Sequence, residues 1–398
     1  MTKANKTGIN KNKKHSYKQK PNRHKVETNI YYDTAKKLYY VNLDYGKDEN
    51  GKRIKPNVTT KTKKEAQQIL REFQANKTKG TLVKPKEDKL SDWLKYWIND
   101  ICKNNRAETT VYGYENIIKN HINPVLGNIK LQNLTPIQIQ QYYSKLINRA
   151  ENPLSENTVR KHHDLLKTAL GVAVKQDILL RNPCDKVEAP KKTKPEQNFY
   201  TAEQVKGLKE LLENHRLKTA IYLLAQFGLR RGELCGLRWE NIDFEKKAIY
   251  IVETRTTAGQ NEIIKEPKNR TSFRTLLLVD VIIPILQEEY ARQQENRKKY
   301  GKDYIETDYV IVMENGKPYR PNYLSELFTK FIEETHLPKL TLHGLRHTVA
   351  SILFEENLQT KKVSDYLGHS NVGTTNEIYA HFTRKTHEDT ANLLASKI

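Results

Sequence analysis

The sequence predicts a mainly α-helical protein of several domains that also contains small β elements. A chain of 398 residues is longer than one ordinary domain. Apolar residues recur at helical spacing through residues 88–187 and again after residue 198, whereas short β-prone stretches precede residue 60. The stretch 188–197 is charged, contains prolines and lacks large apolar residues, which predicts a linker between two of the domains.

The charge of the chain indicates that its partner is a polyanion. Its formal net charge is +22, and the excess is spread along the chain, so nucleic acid is the leading candidate. We find no apolar run of the roughly 18 residues that span a bilayer, and the Lys-rich start lacks the apolar part of a secretory signal. The three cysteines have no CxxC spacing, which favours neither disulfides nor structural zinc. A reducing cytoplasm is the compartment that these cysteines fit best, and we expect no membrane contact.

Residues 1–25 are predicted to form a disordered basic arm. They contain nine lysine or arginine residues, no acidic residue and almost no apolar ones, so they cannot form a core. Cations of this kind bind DNA of any sequence by releasing counterions. The alternative is a tail that only keeps the protein soluble.

Residues 26–83 are predicted to form a three-stranded sheet closed by one helix. Thr62 and Glu65 have the spacing of a capping box at the start of this helix, and apolar residues follow at helical spacing. Turn-forming residues separate the three β-prone stretches, which are Asn29–Tyr32, Leu38–Tyr45 and Arg53–Val58.

Residues 88–187 are predicted to form a domain of four helices. The first helix carries an apolar stripe, which is typical of a core rather than of a site. The stripe consists of Trp93, Leu94, Trp97 and Ile98. The start signals of the four helices are Ser91, Thr109 or Thr110, Thr135 before Pro136, and Ser155.

Residues 198–382 are predicted to form one mostly helical domain that contains two strands. The strand stretches Ala248–Thr254 and Thr275–Val279 flank the polar stretch Arg255–Arg274, as strands around a long hairpin or loop do. Five short motifs in this region carry residue types suited to chemistry. They are Gly228–Leu234 (GLRRGEL), Pro267–Arg270 (PKNR), His343–Arg346 (HGLR), Leu367–His369 (LGH) and Tyr379.

Each of these motifs has a plain structural interpretation when it is taken singly. Arg230 is then a surface arginine, His343 and Arg346 are an ordinary i, i+3 contact on a helix, and Tyr379 is a half-buried core residue. Their order and local settings together, however, resemble the catalytic boxes of the tyrosine recombinase family, which includes phage and conjugative-transposon integrases.

The resemblance covers residues 200–382, and it extends to the four-helix segment and to the N-terminal sheet, which resembles an arm-type DNA-binding domain. It implies a tyrosine nucleophile and a set of residues that activate the phosphate. The nucleophile is Tyr379, and the activating set is Arg230, Lys268, His343, Arg346 and His369. Lys265 is the alternative to Lys268 as the hairpin lysine, and Glu233 has a supporting role.

The chemistry of phosphodiester cleavage explains these residue types. Attack on the phosphate places negative charge on its non-bridging oxygens, and Arg230 and Arg346 offer planar, permanently charged donors to them. His343 is the candidate base toward Tyr379, since a phenol with a pKa of about 10 attacks slowly until its proton is removed. Lys268 would protonate the leaving 5′ oxygen. We find neither a cluster of metal ligands nor a P-loop motif in the sequence.

The resemblance implies a site-specific recombinase that integrates and excises a mobile genetic element through a 3′-phosphotyrosyl intermediate, without metal or ATP. It also implies binding to double-stranded DNA at core-type and arm-type sites, a homotetramer, and an accessory directionality factor. The tail 383–398 docks on a neighbouring protomer or packs on its own domain. The alternative functions are a non-catalytic DNA-binding regulator of the same fold and a type IB-like topoisomerase.

Overall fold

The computed structural model describes residues 22–47, 51–80, 82–193, 198–265, 273–368 and 394–397. Over these ranges the fold is mostly helical with small sheets. The chain divides into two compact units. The first comprises residues up to Asn104 together with Asn116–Lys192, and the second comprises Asn105–Glu115 and the residues from Thr193 onward. No helix in the described ranges is long and apolar enough to cross a membrane.

The first unit begins with an antiparallel four-stranded sheet and one helix. The strands lie in sequence order across the sheet. Helix α1 (Lys63–Thr78) begins after Thr62, whose hydroxyl accepts a hydrogen bond from the Glu65 backbone N–H at 3.2 Å, so the predicted N-cap is confirmed. The helix packs Phe73 and Ala66 against the buried strand residues Ile30 and Val41. The strands are β1 (Arg23–Glu27), β2 (Ile30–Asp33), β3 (Leu38–Asn42) and β4 (Asn57–Thr60).

The prediction of three strands is wrong by one, because residues 23–25 of the predicted basic arm form part of strand β1. Its sequence, RHKVE, is charged and has no apolar alternation, so local pattern does not mark it as a strand. Pairing with β2 holds it in place, and the Arg23 guanidinium lies 3.5 Å from the centre of the Tyr40 ring. The other arm residues, 1–21, lie outside the described ranges.

Four helical segments follow, as the apolar spacing predicts. The first two segments each contain a π-helical turn. They are α2 (Leu90–Tyr96) continuing through Trp97–Cys102 into α3 (Lys103–Asn105), and α4 (Glu108–Ile117) continuing through Ile118–Ile122 into α5 (Asn123–Leu126). The other two are α6 (Pro136–Ile147) and α7 (Glu156–Lys175).

Two of the four predicted helix starts are confirmed. The hydroxyls of Thr135 and Ser155 cap α6 and α7. The other two helices start slightly earlier than predicted, at Leu90 and Glu108, which places Ser91, Thr109 and Thr110 inside them. The predicted apolar stripe is core: its four side chains are buried, and the Trp93 indole donates to the Ala169 carbonyl at 3.1 Å.

The second unit is built on a helical core with two small sheets. Strands β5 (Ile242–Asp243), β6 (Ala248–Ile251) and β9 (Arg274–Leu277) form one antiparallel sheet with β6 in the middle, and β7 (Thr254–Ala258) pairs with β8 (Asn261–Lys265). The two predicted strands are therefore present, and the polar stretch between them contains an additional hairpin. The helices are α8 (Ala202–Leu211), α9 (Lys218–Phe227), α10 (Arg231–Cys235), α11 (Ile283–Tyr300), α12 (Pro321–Glu333), α13 (Leu342–Glu355) and α14 (Thr360–Leu367).

Gly228 ends α9 in a left-handed conformation, with φ of 57°, and it leads directly into the motif that carries Arg230. A Cβ atom added there would lie 2.4 Å from a methyl carbon of Leu367. A side chain at this position would therefore combine backbone strain with a steric clash.

We expect Gly228→Ala to lower the free energy of unfolding by about 1–3 kcal/mol, because alanine is strained at positive φ and the packing around Leu367 has to shift. Urea denaturation followed by tryptophan fluorescence measures this change. The matched control is Gly207→Ala in the interior of α8, where no atom lies within 4 Å of the added Cβ and helix propensity predicts a gain of about 0.5–1 kcal/mol. Equal effects of the two substitutions would contradict this account of Gly228.

Candidate active site

Arg230 lies at the boundary between the Gly228 turn and α10. Its backbone is extended at the N-cap position, so its side chain projects from the start of the helix rather than along its surface. The side chain is about one-third exposed, at 34%. One terminal nitrogen donates to Glu233 at 2.7 Å, and the other donates to the Gly368 carbonyl at 2.5 Å. The guanidinium group is thus oriented from two sides while it remains accessible.

Glu233 is a buried carboxylate that accepts four hydrogen bonds. Two come from Arg230, through its backbone N–H at 2.9 Å and its guanidinium, and two come from Arg274 at 3.0 and 3.2 Å. Burial raises the pKa of this carboxyl, but the bonds and charges of Arg274 and Arg230 outweigh it and hold the pKa below its ordinary value. The predicted supporting role of Glu233 beside an active-site cation therefore has a geometric basis, and its ionised form is the stable one.

Arg346 is fully buried in the first turns of α13, with an exposed fraction of 1%. Its terminal nitrogens donate to the Gly228 carbonyl at 2.6 Å and to the Leu367 carbonyl at 2.7 Å. Burial and the neighbouring charge of Arg230 lower the pKa of Arg346 to about 9, so it stays protonated at neutral pH. Arg230 and Arg346 thus bind consecutive carbonyls, at Gly368 and Leu367, where α14 ends.

Two histidines lie one helical turn apart on α13. The rings of His343 and His347 meet edge to face, with centroids 4.6 Å apart. Surrounding protein atoms and the charges of Arg346 and Arg230 lower the pKa of His343, although its side chain reaches the surface. Burial lowers the pKa of His347 further, to about 4. Both imidazoles are therefore neutral at pH 7, as a proton acceptor must be.

The described part of the site carries an excess of positive charge. Arg230, Arg274 and Arg346 contribute three guanidinium groups. Among the described residues, Glu233 is the carboxylate that accepts hydrogen bonds from two of them, Arg230 and Arg274. Cationic donors held in fixed positions stabilise added negative charge on a phosphate. Within the described ranges, no group of three or more His, Cys, Asp or Glu side chains could hold a metal ion.

The structure brings together three of the six predicted site residues, Arg230, His343 and Arg346. The charges of Arg346 and Arg230 lower the pKa of His343, and the charge of Arg230 lowers the pKa of Arg346. The other three, Lys268, His369 and Tyr379, lie outside the described residues. Lys265 is the last residue of β8, where its carbonyl accepts a hydrogen bond from the Thr254 hydroxyl at 3.2 Å.

Sequence reasoning missed two residues of this site, Arg274 and His347. Arg274 stands at the end of the polar stretch, and no local pattern separates it from the other cations of that stretch. His347 follows Arg346 directly, and its spacing of four from His343 is a usable signal, since residues i and i+4 share a helix face.

His347 is expected to make stability sensitive to acid. Its pKa in the folded state, about 4, lies below its ordinary value of 6.5, so the unfolded chain takes up the proton first as pH falls. The free energy of unfolding should therefore decrease between about pH 6.5 and pH 4, by at most about 1.4 kcal/mol per pH unit from this residue. His347→Asn should reduce this slope in urea denaturation at pH 7 and pH 5.

His336→Asn, at an exposed histidine outside the site, is the control and should keep the wild-type slope. An unchanged slope in His347→Asn would show that other groups cause the acid sensitivity.

Comparison with known proteins identifies the family of this chain. The model of the phage integrase family matches residues 198–386, and the model of the N-terminal SAM-like domain of phage integrases matches residues 89–147. A tyrosine recombinase XerC-like protein of Caldanaerobacter subterraneus is 34% identical over 374 residues, which cover 89% of this chain and 95% of the relative. The ICEBs1 integrase of Bacillus subtilis is 24% identical over 363 residues, covering 89% and 96%.

Solved structures share the fold. The Tn1549 transposon integrase in complex with transposon right end DNA has a TM-score of 0.63 at 22% identity, over 77% of this chain and 99% of that one. The lambda integrase tetramer bound to a Holliday junction has a TM-score of 0.56 at 17% identity, over 89% and 96%. Together with the family models and the 34% identical relative, they lead to one conclusion: the chain belongs to the phage integrase family of tyrosine recombinases, enzymes that cut and rejoin DNA strands at specific sites.

Proposed function

We propose that this recombinase integrates and excises a mobile genetic element, with Arg230 and Arg346 as the clamp on the scissile phosphate. The observation that carries the proposal is the convergence of these two arginines, which lie far apart in sequence, on the consecutive carbonyls of Leu367 and Gly368. Two planar, charged donors held side by side match the non-bridging oxygens of a phosphodiester. Those oxygens gain charge in the transition state, where fixed donors contribute most.

The proposed reaction begins with attack of the Tyr379 phenol oxygen on the phosphorus. His343 accepts the phenol proton, the bond from phosphorus to the 5′ oxygen breaks, and Lys268 gives a proton to the leaving oxygen. The product is a 3′-phosphotyrosyl link and a free 5′ hydroxyl. His369 would donate a further hydrogen bond to the phosphate. Rejoining reverses these steps when the 5′ hydroxyl of a partner strand attacks the phosphotyrosine.

This chemistry calls for neither metal nor ATP. The guanidinium groups and the lysine supply the positive charge that a metal ion supplies in other phosphoryl-transfer enzymes. The phosphotyrosine link conserves the energy of the broken phosphodiester, so the strand can be rejoined without a nucleotide cofactor. The proposal therefore assigns no cofactor to the enzyme.

The proposed domain layout serves binding to two kinds of DNA site. The N-terminal sheet and helix, residues 26–83, would bind arm-type sites, and the four helices of residues 88–187 would bind the core site together with residues 198–382. Linking the two interactions raises the effective concentration of the second once the first has formed. A transposon integrase and an integrase named for ICEBs1 among the similar proteins support the assignment to a mobile element.

A homotetramer on DNA is the proposed active assembly. The lambda integrase of similar fold forms a tetramer on a Holliday junction, which supports the same arrangement here. The tail 383–398 would dock on a neighbouring protomer, and its residues 383–393 and 398 lie outside the described ranges. An accessory factor would set the direction of recombination. A protein that recombines bacterial DNA acts at the nucleoid, in the cytoplasm.

Tyr379→Phe tests the nucleophile. Wild-type protein incubated without metal on nicked duplexes, taken from the junctions that flank its gene, should form a covalent protein–DNA species on denaturing gels. The Phe variant should form none, because it lacks the attacking oxygen. Tyr290→Phe, at a half-exposed tyrosine on α11, is the control and should react like wild type.

The outcomes separate the proposal from its alternatives. An adduct that survives in Tyr379→Phe would place the nucleophile elsewhere, and binding without any adduct would favour a non-catalytic regulator. Relaxation of a supercoiled plasmid without joining of partner strands would indicate a type IB-like topoisomerase.

A sulfur substitution distinguishes Lys268 from Lys265 as the general acid. Replacing the scissile 5′ oxygen by sulfur creates a leaving group that needs no proton, since a thiol has a pKa of about 8.5. The Lys268→Met variant should cleave the normal strand about 100-fold or more slowly than wild type, because general acid catalysis is lost. The same variant should cleave the sulfur-substituted strand near the wild-type rate. Lys265→Met is the matched control. Rescue by sulfur in Lys265→Met alone would reassign the role.

A further inference from the structure

Arg274 takes part in the active site without a role in the reaction described above. It is the first residue of β9, which is paired in register with the central strand β6, so its backbone is fixed by the sheet. Its side chain is 8% exposed and directs both terminal nitrogens at Glu233. The Glu233 side chain, at 1% exposed, has no access to water that could replace these bonds.

We propose that Arg274 is a positioning residue that neutralises Glu233 and thereby leaves the charge of Arg230 available to the scissile phosphate. This inference rests on the proposed function, because it assumes that Arg230 binds that phosphate. Both terminal nitrogens of Arg274 donate to Glu233, whereas Arg230 gives Glu233 one terminal nitrogen and has a side chain that is 34% exposed. Arg274 thus serves as the counterion of Glu233, and Arg230 remains a ligand for the phosphate.

The balance of charge supports this division. Among the described residues of this hydrogen-bonded set, three guanidinium groups and one carboxylate leave two uncompensated positive charges, and the proposed Lys268 would add to them. Without Arg274 the balance falls to one, and the buried carboxylate would have only Arg230 as a cationic partner. Charges interact strongly in a site of low dielectric, so Glu233 would then hold Arg230 to itself.

Arg274 also lies against the second partner of Arg230. A Cβ atom added at Gly368 would lie 2.9 Å from a terminal nitrogen of Arg274, so the guanidinium packs directly on this glycine. The carbonyl of Gly368 accepts the other hydrogen bond of Arg230. Arg274 therefore contacts both groups that orient Arg230, which is what a positioning residue requires.

The pKa of Glu233 also supports Arg274 as its main counterion. Arg274 contributes more than Arg230 to lowering the pKa of this carboxyl against the effect of burial. Arg274 forms an ion pair with Glu233, and its buried Nε has no hydrogen-bond partner among the described residues.

The test is the single-turnover rate of covalent adduct formation on nicked duplexes at saturating protein. We expect Arg274→Gln to cleave at least about ten-fold more slowly than wild type while DNA affinity stays within about two-fold, because one stabilising charge is lost in the transition state only. Arg274→Lys keeps the positive charge but cannot donate two parallel hydrogen bonds to Glu233, so its cleavage rate should lie between those of wild type and Arg274→Gln.

Rescue separates this role from a merely structural one. The double variant Arg274→Gln with Glu233→Gln should cleave faster than Arg274→Gln alone, since no carboxylate remains to capture Arg230. A pair needed only for folding predicts the reverse, with the double variant no faster than the single one. Arg292→Gln is the matched control, because Arg292 forms a similar two-pronged pair with the buried Glu289 on α11, away from the site. It should lower thermal stability without changing the cleavage rate.

The results for Arg274→Gln and for the wild-type protein test the role of Arg274 and the proposed function separately. A wild-type rate for Arg274→Gln, or a double variant no faster than the single one, overturns the role of Arg274 and leaves the proposed function intact. Failure of the wild-type protein to form any adduct on DNA that it binds overturns both.

Discussion

The ion pairs around the buried carboxylate of Glu233 are the constraint on which the rest of the described site depends. A carboxylate removed from water has to be paired and hydrogen-bonded, since its desolvation otherwise costs several kcal/mol or shifts it to the neutral form. Glu233 meets this requirement with donors from two separate elements, the start of α10 and the start of β9. These bonds fix the position of the Arg230 guanidinium relative to α10 and to the sheet of β5, β6 and β9.

The terminal nitrogens of Arg230 and Arg346 that do not bind Glu233 donate to backbone carbonyls. Arg346 binds the carbonyls of Gly228 and Leu367, and Arg230 binds that of Gly368. Carbonyls at a helix end carry only partial negative charge, so they orient a guanidinium without cancelling its positive charge. Gly228 and Gly368 both adopt a left-handed backbone, which turns the chain sharply enough at the ends of α9 and α14 to present these carbonyls.

A second network supports the β7–β8 hairpin, which ends at Lys265. Arg255 is buried on β7, donates to the Cys235 carbonyl at 3.1 Å and pairs with Glu262 of β8 at 2.7 Å. The ring of Tyr309 lies 4.4 Å from the guanidinium of Arg238 and 4.6 Å from that of Arg255. The strand that leads toward the proposed general acid is therefore anchored to α10 and to the core of the second unit.

The amino-acid sequence by itself determined the fold class, the four helical segments, two of their N-caps, and the family with its candidate residues. These features depend on apolar spacing, capping residues and short motifs, which act within a few residues of one another. The sequence did not indicate β1, whose charged residues become a strand only through pairing with β2. Nor did it indicate that Arg274 would share Glu233 with Arg230, because contacts between distant residues depend on how the elements pack. Tertiary structure alone decided which of many arginines is buried, and it is burial that gives an ion pair its strength.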